Sequence, residues 1–343
     1  MPYNRKQIST NKYKHIIKYV YLLCMFNLFN VSAQTDTNKV NQLNRLSDIY
    51  ERQGNYQTSN TYADSALQLA QQLNYKKGQA SALNNLGLVQ YNQGNYTQAL
   101  TLYANSYKIC KTLNCKKGIA SYFCNIALVY TDLENYPEAI LKYITALKIY
   151  QNIHHKTGEA LCYNHLGLVY SKQQKFTKAL AHLSMALKMR QQLNDTLGIA
   201  DTYNNIGDVY YSKQNFADAL IYYNLALLLN QQTDNLAAQA YTYTCLGDVY
   251  AALNNSTQAL QNYLAALQIN QKLNSIDDLV ELYSTISEVY SQAQNYTQAN
   301  YYKDEYKKLA EKINPTNLYP AKSYGNNWFL FFWLTVWWGG WLL

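Results

Sequence analysis

The chain repeats itself every forty residues. Counting in forties from Gly87 lands on Ala127, Gly167, Gly207, Gly247 and Ser287, and one step back on Ser47. A second column of small residues runs Ser59, Ala99, Ala139, Ala179, Ala219, Ala259, Ala299. A third runs Ala66, Ser106, Ala146, Ala186, Ala226, Ala266 and breaks at Tyr306. Three columns at one period across seven units mark a stacked array of identical supersecondary units. In such an array neighbouring units bury one another, so the length prior for globular domains does not apply to these 343 residues.

The unit reads as two helices. Between Gly78 and Asn92, residues Leu83, Leu86, Gly87 and Val89 recur at helical spacing. Gly94-Asn95 then breaks the pattern. From Tyr96 to Leu113 a second face appears: Ala99, Leu102, Tyr103, Ser106, Ile109 and Leu113. The small columns mark places where two backbones approach closely and larger neighbours fill the grooves around them. A bulky side chain at Gly167 or Ala179 is expected to cost about 1–3 kcal/mol by overpacking.

Gly87 followed by Tyr96, Ala99, Tyr103 and Ser106 resembles the tetratricopeptide repeat, from about Thr37 to Ile313. Later units match, apart from Leu183 in the aromatic column and Ser256 where others carry Tyr or Phe. The forty-residue period is similar to that of Leu-Gly-Asn-rich adaptors, kinesin light chains and the front ends of bacterial sensor kinases. The resemblance implies an all-α, right-handed superhelical solenoid of about seven antiparallel helix pairs over residues 34–314. The first helix is expected over Thr37–Gln53. A charged last helix, Tyr296–Ile313, reads as a solubilising cap that Pro315 terminates.

Both ends depart from the repeat. Five of the 29 basic residues fall in the first eighteen positions, and an apolar run with a Val31-Ser32-Ala33 exit follows. Residues 1–33 therefore read as a signal peptide. Residues 315–327 read as a linker, and 328–343 hold all five tryptophans and no charge. As a helix that segment spans only about 24 Å, against a hydrocarbon core of about 30 Å. It reads as a short membrane anchor, an interfacial segment, or a tail packed on protein. The expected location is exported, periplasmic or cell-envelope, with membrane tethering. An alternative is the extracytoplasmic sensory portion of a truncated two-component receptor.

Little in the chain points to chemistry. No phosphate-cradling loop, nucleophile elbow or paired-carboxylate motif is visible, so no enzyme and no cofactor are expected. Histidines 154, 155, 165 and 182 lack zinc-ligand spacing. Cys124, Cys162 and Cys245 read as small apolar helix residues, while Cys110 and Cys115 flank one corner and are placed to bridge in an oxidising compartment. Outside the basic leader the remaining 24 basic residues nearly balance 21 acidic ones. That balance argues against nucleic acid as a partner.

The resemblance further implies a concave groove lined by the first helix of each unit, holding a peptide or partner protein. Helical spacing then places Asn84, Asn85, Asn125, Asn164, His165, Asn204, Asn205, Asp208 and Asp248 on that groove. Asparagine suits the task because its amide both donates and accepts, and so can pair with a peptide backbone of any sequence. Asp201, Asp208, Asp248, Glu281 and Glu288 make the far half acidic, so a basic or polar segment is the expected ligand there.

Overall fold

The structure, a computed structural model, describes residues 36–51 and 53–312. Those residues form fourteen helices and no strand. Helix α1 covers 36–51, α2 Tyr56–Gln72, α3 Lys76–Asn92, α4 Tyr96–Thr112 and α5 Lys116–Asp132. Then come α6 Tyr136–Asn152, α7 Lys156–Lys172, α8 Phe176–Gln192, α9 Thr196–Ser212 and α10 Phe216–Gln232. The last four are α11 Leu236–Ala252, α12 Ser256–Leu273, α13 Ile276–Gln292 and α14 Tyr296–Lys312. Expected and observed helices agree to within a residue or two, and pairs pack consecutively as the repeat requires. The chain divides into two units, Met1–Val89 with Thr101–Asn114, and Gln90–Leu100 with Cys115–Leu343.

One turn geometry joins all these helices. Every twentieth residue from Gly54 to Gln294 has a positive φ, between +50° and +77°. The next N–H then bonds to a carbonyl five residues back, as in Asn135 N–H to Tyr130 (2.8 Å) and Asn215 N–H to Tyr210 (2.9 Å). This is the left-handed helix stop, which favours glycine because a Cβ is crowded there. Yet only Gly54 and Gly94 are glycines; elsewhere the position holds Asn, Asp, Gln, Glu or His.

The residue after each left-handed one starts the next helix. Asn55, Asn135, Asn215, Asn235, Asn255 and Asn295 each accept, through the side-chain oxygen, an N–H of the first turn. Asp195 Oδ1 and His155 Nδ1 accept likewise from the Gly198 and Gly158 N–H groups. Each such cap is worth about 1 kcal/mol relative to alanine. Six of the thirty-eight asparagines are thus spent on helix starts.

Inside each pair the glycine column meets the aromatic column. A Cβ on Gly87 would lie 2.5 Å from the Tyr103 ring, and one on Gly207 2.6 Å from Tyr223. Gly247 meets Tyr263 at 2.5 Å, and Gly167 meets Leu183 at 2.6 Å. Tyr103, Tyr143, Tyr223 and Tyr263 are among the largest fully buried side chains, with Leu183 taking the same place in its unit. Where serine replaces glycine, its hydroxyl stays satisfied. Ser287 donates to the Ala299 carbonyl at 2.8 Å, and Ser47 lies 3.0 Å from the Ser59 hydroxyl.

The expected exported, periplasmic or cell-envelope location with a membrane tether is corrected by this structure. Among the described residues no helix is long and apolar enough to cross a membrane. The physical reason lies in the helices themselves: α2 to α14 each carry a polar, exposed face along seventeen or eighteen residues. The segments 1–33, 315–327 and 328–343, on which the export, linker, anchor and receptor readings rested, lie outside the described residues.

Candidate ligand-binding face

In the larger unit the first helices of successive pairs touch: α5 meets α7, α7 meets α9, and α9 meets α11. Helices α7, α9 and α11 each also pack on the second helix of their own pair and of the pair before. What remains uncovered is a stripe facing away from the second helices. It carries Leu128 and Asp132, then Leu161, His165, Leu168 and Lys172, then Asp201, Asn205, Asp208 and Ser212, all half-buried or exposed.

The asparagines on this face do more than line it. Asn205 Nδ2 donates to Asn164 Oδ1 at 3.0 Å, from α9 back to α7. Thr242 Oγ1 donates to Asn204 Oδ1 at 3.1 Å, from α11 back to α9. Asn125, Asn164 and Asn204 are 8%, 5% and 4% exposed, so they sit between helices rather than in the open. In the smaller unit Asn85 Nδ2 donates to the Asn44 carbonyl at 2.9 Å, and Asn84 is half-buried. Of the asparagines expected to meet a ligand, Asn84, Asn85 and Asn205 keep solvent-facing surface. Asn164 and Asn204 bond from one repeat to the next, and Asn125 is buried.

His165 is half-buried and stacks on Tyr143, with ring centroids 5.3 Å apart and planes 8° from parallel. Burial first, and the Arg190 charge second, hold its pKa down to about 4. The imidazole is therefore neutral at pH 7, a donor and an acceptor rather than a cation.

The acidic half is built from tyrosines as much as from carboxylates. Asp208 accepts from Tyr223 Oη at 2.7 Å and from Tyr241 Oη at 3.0 Å. Asp248 accepts from Tyr263 Oη at 2.7 Å. Burial pushes the Asp208 carboxyl up to about 6, against the two phenol hydrogen bonds that favour its charged form. Burial and then the Asp208 charge raise Tyr241, and burial and then Asp248 push Tyr211 up to about 12. Asp208, Tyr223, Tyr241 and the neighbouring Cys245 thus form one polar cluster on α9, α10 and α11.

Sequence reasoning placed Asp208 and Asp248 on the face but missed Tyr223 and Tyr263. The signal was present: in both units a Gly-Asp pair is followed, fifteen residues after the acid, by a tyrosine. In the units with Leu88, Leu128 and Leu168 the acid is missing. The bonds between adjacent first helices were also missed, because they join residues 38 or 41 apart rather than 40. Among the described residues no group of three or more His, Cys, Asp or Glu could hold a metal ion.

A family model described as tetratricopeptide repeat matches residues 40–112, 118–192, 159–232 and 198–272, more than half of the chain. The chain belongs to the tetratricopeptide repeat family. Several solved repeat structures share its fold. A Rap conjugation gene regulator of plasmid pLS20, in complex with the Phr* peptide, superposes with a TM-score of 0.60 at 16% identity, over 78% of this chain and 74% of that one. A Rap protein complexed with competence and sporulation factor gives 0.58 at 15% identity, over 82% and 98%. BtubC from P. vanneervenii gives 0.51 at 22% identity, over 64% and 92%. At these identities the likeness shows the fold of the repeats alone. No curated protein sequence matches the chain.

Proposed function

We propose that this tetratricopeptide array is a non-catalytic binding scaffold whose ligand is an extended peptide or a peptide segment of a partner protein. The observation that carries the reading is the first-helix face of α7, α9 and α11. It keeps His165, Leu168, Asn205, Asp208 and Asp248 partly open to solvent along three adjacent helices. Neutral donors and acceptors beside carboxylates suit a main chain plus cationic side chains. Two similarly folded structures are complexes, one with the Phr* peptide and one with competence and sporulation factor, and the first supports a peptide ligand here.

The acidic end points to a basic or polar segment. Asp208 and Asp248 are each bonded to tyrosine, but a carboxylate has about four lone-pair sites, and one or two phenols leave room for a cationic partner. The test is calorimetry of the full-length chain with extended peptides of alternating Lys-Ser and alternating Glu-Ser. The Lys-Ser peptide is expected to bind, and Asp208→Asn with Asp248→Asn to weaken it about tenfold while helicity is kept. Equal affinity for both peptides, or no response to the double substitution, removes the acidic-face reading.

A further inference from the structure

Cys124 on α5 and Cys162 on α7 face each other, with sulfurs 3.5 Å apart. They are 2% and 0% exposed, and both are free thiols, as are Cys110, Cys115 and Cys245. The two residues are 38 apart, the same offset at which Thr242 reaches Asn204 two helix pairs further on. In that stretch the array thus replaces a hydrogen-bonded Asn–Thr contact by a thiol pair. Nothing polar about a helix–helix seam requires two cysteines there.

We propose that Cys124 and Cys162 are an oxidisable pair that closes to a disulfide and staples two successive first helices together. The sulfurs need to approach from 3.5 Å to about 2.05 Å, a shift of about 1.5 Å that side-chain rotation and a small helix movement can share. The oxidant is hydrogen peroxide, a two-electron acceptor small enough to enter a seam that excludes bulky disulfides. One thiol, as thiolate, attacks a peroxide oxygen, breaking the O–O bond. It becomes a sulfenic acid, and the departing hydroxide takes the thiol proton as water. The second sulfur then attacks the sulfenic sulfur, forming the S–S bond and expelling the hydroxyl, which leaves with the second thiol proton as water. Two thiols and one peroxide give one disulfide and two waters.

Burial sets the kinetics. The Cys124 thiol is held well above its usual pKa, first by its hydrogen bond to Cys162 and then by burial, so thiolate is scarce. Oxidation is therefore slow and selective for an oxidant that penetrates. Once formed, the bond closes a loop of 38 residues and is shielded from attack by large thiols. It also fixes the spacing of α5 and α7, the helices that carry Leu128 and His165 on the candidate face. The proposal stands whether or not that face binds a peptide.

The experiment treats the folded full-length chain with hydrogen peroxide, alkylates remaining thiols, and maps the digest by mass spectrometry without reduction. The expected result is a single cross-linked peptide joining the Cys124 and Cys162 fragments. It should weigh two hydrogens less than the reduced pair and be abolished by dithiothreitol. Thermal unfolding should move up by a few degrees on oxidation. Cys162→Ala should remove both effects, whereas Cys245→Ala should leave them. Sulfinic acid at Cys124 or Cys162, a link only among other cysteines, or full alkylation of both thiols after peroxide would each overturn the proposal. Because the decisive reading is made on the unsubstituted chain, a variant that folds poorly does not obscure it.

Discussion

Tyr103 and Tyr223 occupy the same place in two repeats and live in different chemical surroundings. Each is fully or almost fully buried, and each covers the glycine of its unit, Gly87 or Gly207, at nearly the same distance. The hydroxyl of Tyr223 donates to Asp208 at 2.7 Å, whereas that of Tyr103 has no hydrogen-bond partner among the described residues. The position next to the glycine explains the contrast: it is aspartate at 208 and leucine at 88. Tyr263 repeats the satisfied case with Asp248, and Tyr143 instead uses Thr131. Where the unit has Leu168, the tyrosine itself is replaced by Leu183, which needs no partner. The ring serves packing wherever it is present. The hydroxyl is useful only where an acceptor was placed for it.

The largest effect should not distinguish the two sites. Tyr103→Ala and Tyr223→Ala each remove a buried ring and should each cost about 3–5 kcal/mol, read by chemical denaturation. A large difference between them would break the idea that the ring contribution is common. The hydroxyl should then separate them. Tyr223→Phe strips Asp208 of one donor and should destabilise by about 1–2 kcal/mol, while Tyr103→Phe removes an unsatisfied group and should be neutral or mildly stabilising. Equal losses from both Phe variants would mean that Tyr103 has an acceptor after all.

The comparison extends to pH, since Leu88 cannot titrate and Asp208 can. Asp208 is raised to about 6 from an ordinary 3.8, so the folded chain holds that proton more tightly than the unfolded one. Its contribution to stability is present below pH 3.8 and is lost as pH rises through 6. His165 has the opposite sign. Lowered to about 4 from 6.5, it contributes stability that is present above pH 6.5 and lost as pH falls toward 4. Between pH 4 and 6 the two slopes oppose each other. Asp208→Asn should leave the His165 slope exposed, with stability rising with pH, and His165→Gln should do the reverse. Denaturation midpoints at several pH values check both, and parallel curves for the two variants would refute the assignments.

The smallest effect concerns the turns. Gln214 holds a left-handed conformation with φ of +59°, whereas Gly54 does so at +75° without a Cβ. Gln214→Gly relieves about 1–2 kcal/mol of backbone crowding but adds about 0.5–1 kcal/mol of chain entropy in the unfolded state. A net stabilisation of about 0.5–1 kcal/mol is expected, visible as a small rise in Tm. A loss of stability would show that the Gln214 side chain supports the turn.

Much of the fold was legible because its cause is periodic. Small residues at one spacing are needed wherever Tyr103, Leu183 or Tyr223 must lie over a backbone, and the forty-residue columns display that need directly. The turns were half legible: Gly94-Asn95 announced one, but Gln174, Gln214 and Glu134 take the same left-handed shape without any glycine to mark it. Asn55, Asn135 and Asn215 cap helices, and Asn164, Asn204 and Asn205 bond between first helices, roles that no column of the repeat announces.

By itself the amino-acid order determined the helix pairs, their number and their manner of crossing, because a helix cannot approach another helix except where its side chains are small. The tertiary structure decided which polar groups meet. Adjacent helices touch at offsets of 38 and 41 residues, and only their actual stacking brings Cys124 to Cys162 or Asn205 to Asn164. The reason is geometric: a periodic sequence specifies each unit alone, whereas a contact between units depends on the rotation and rise from one to the next, which no single column records.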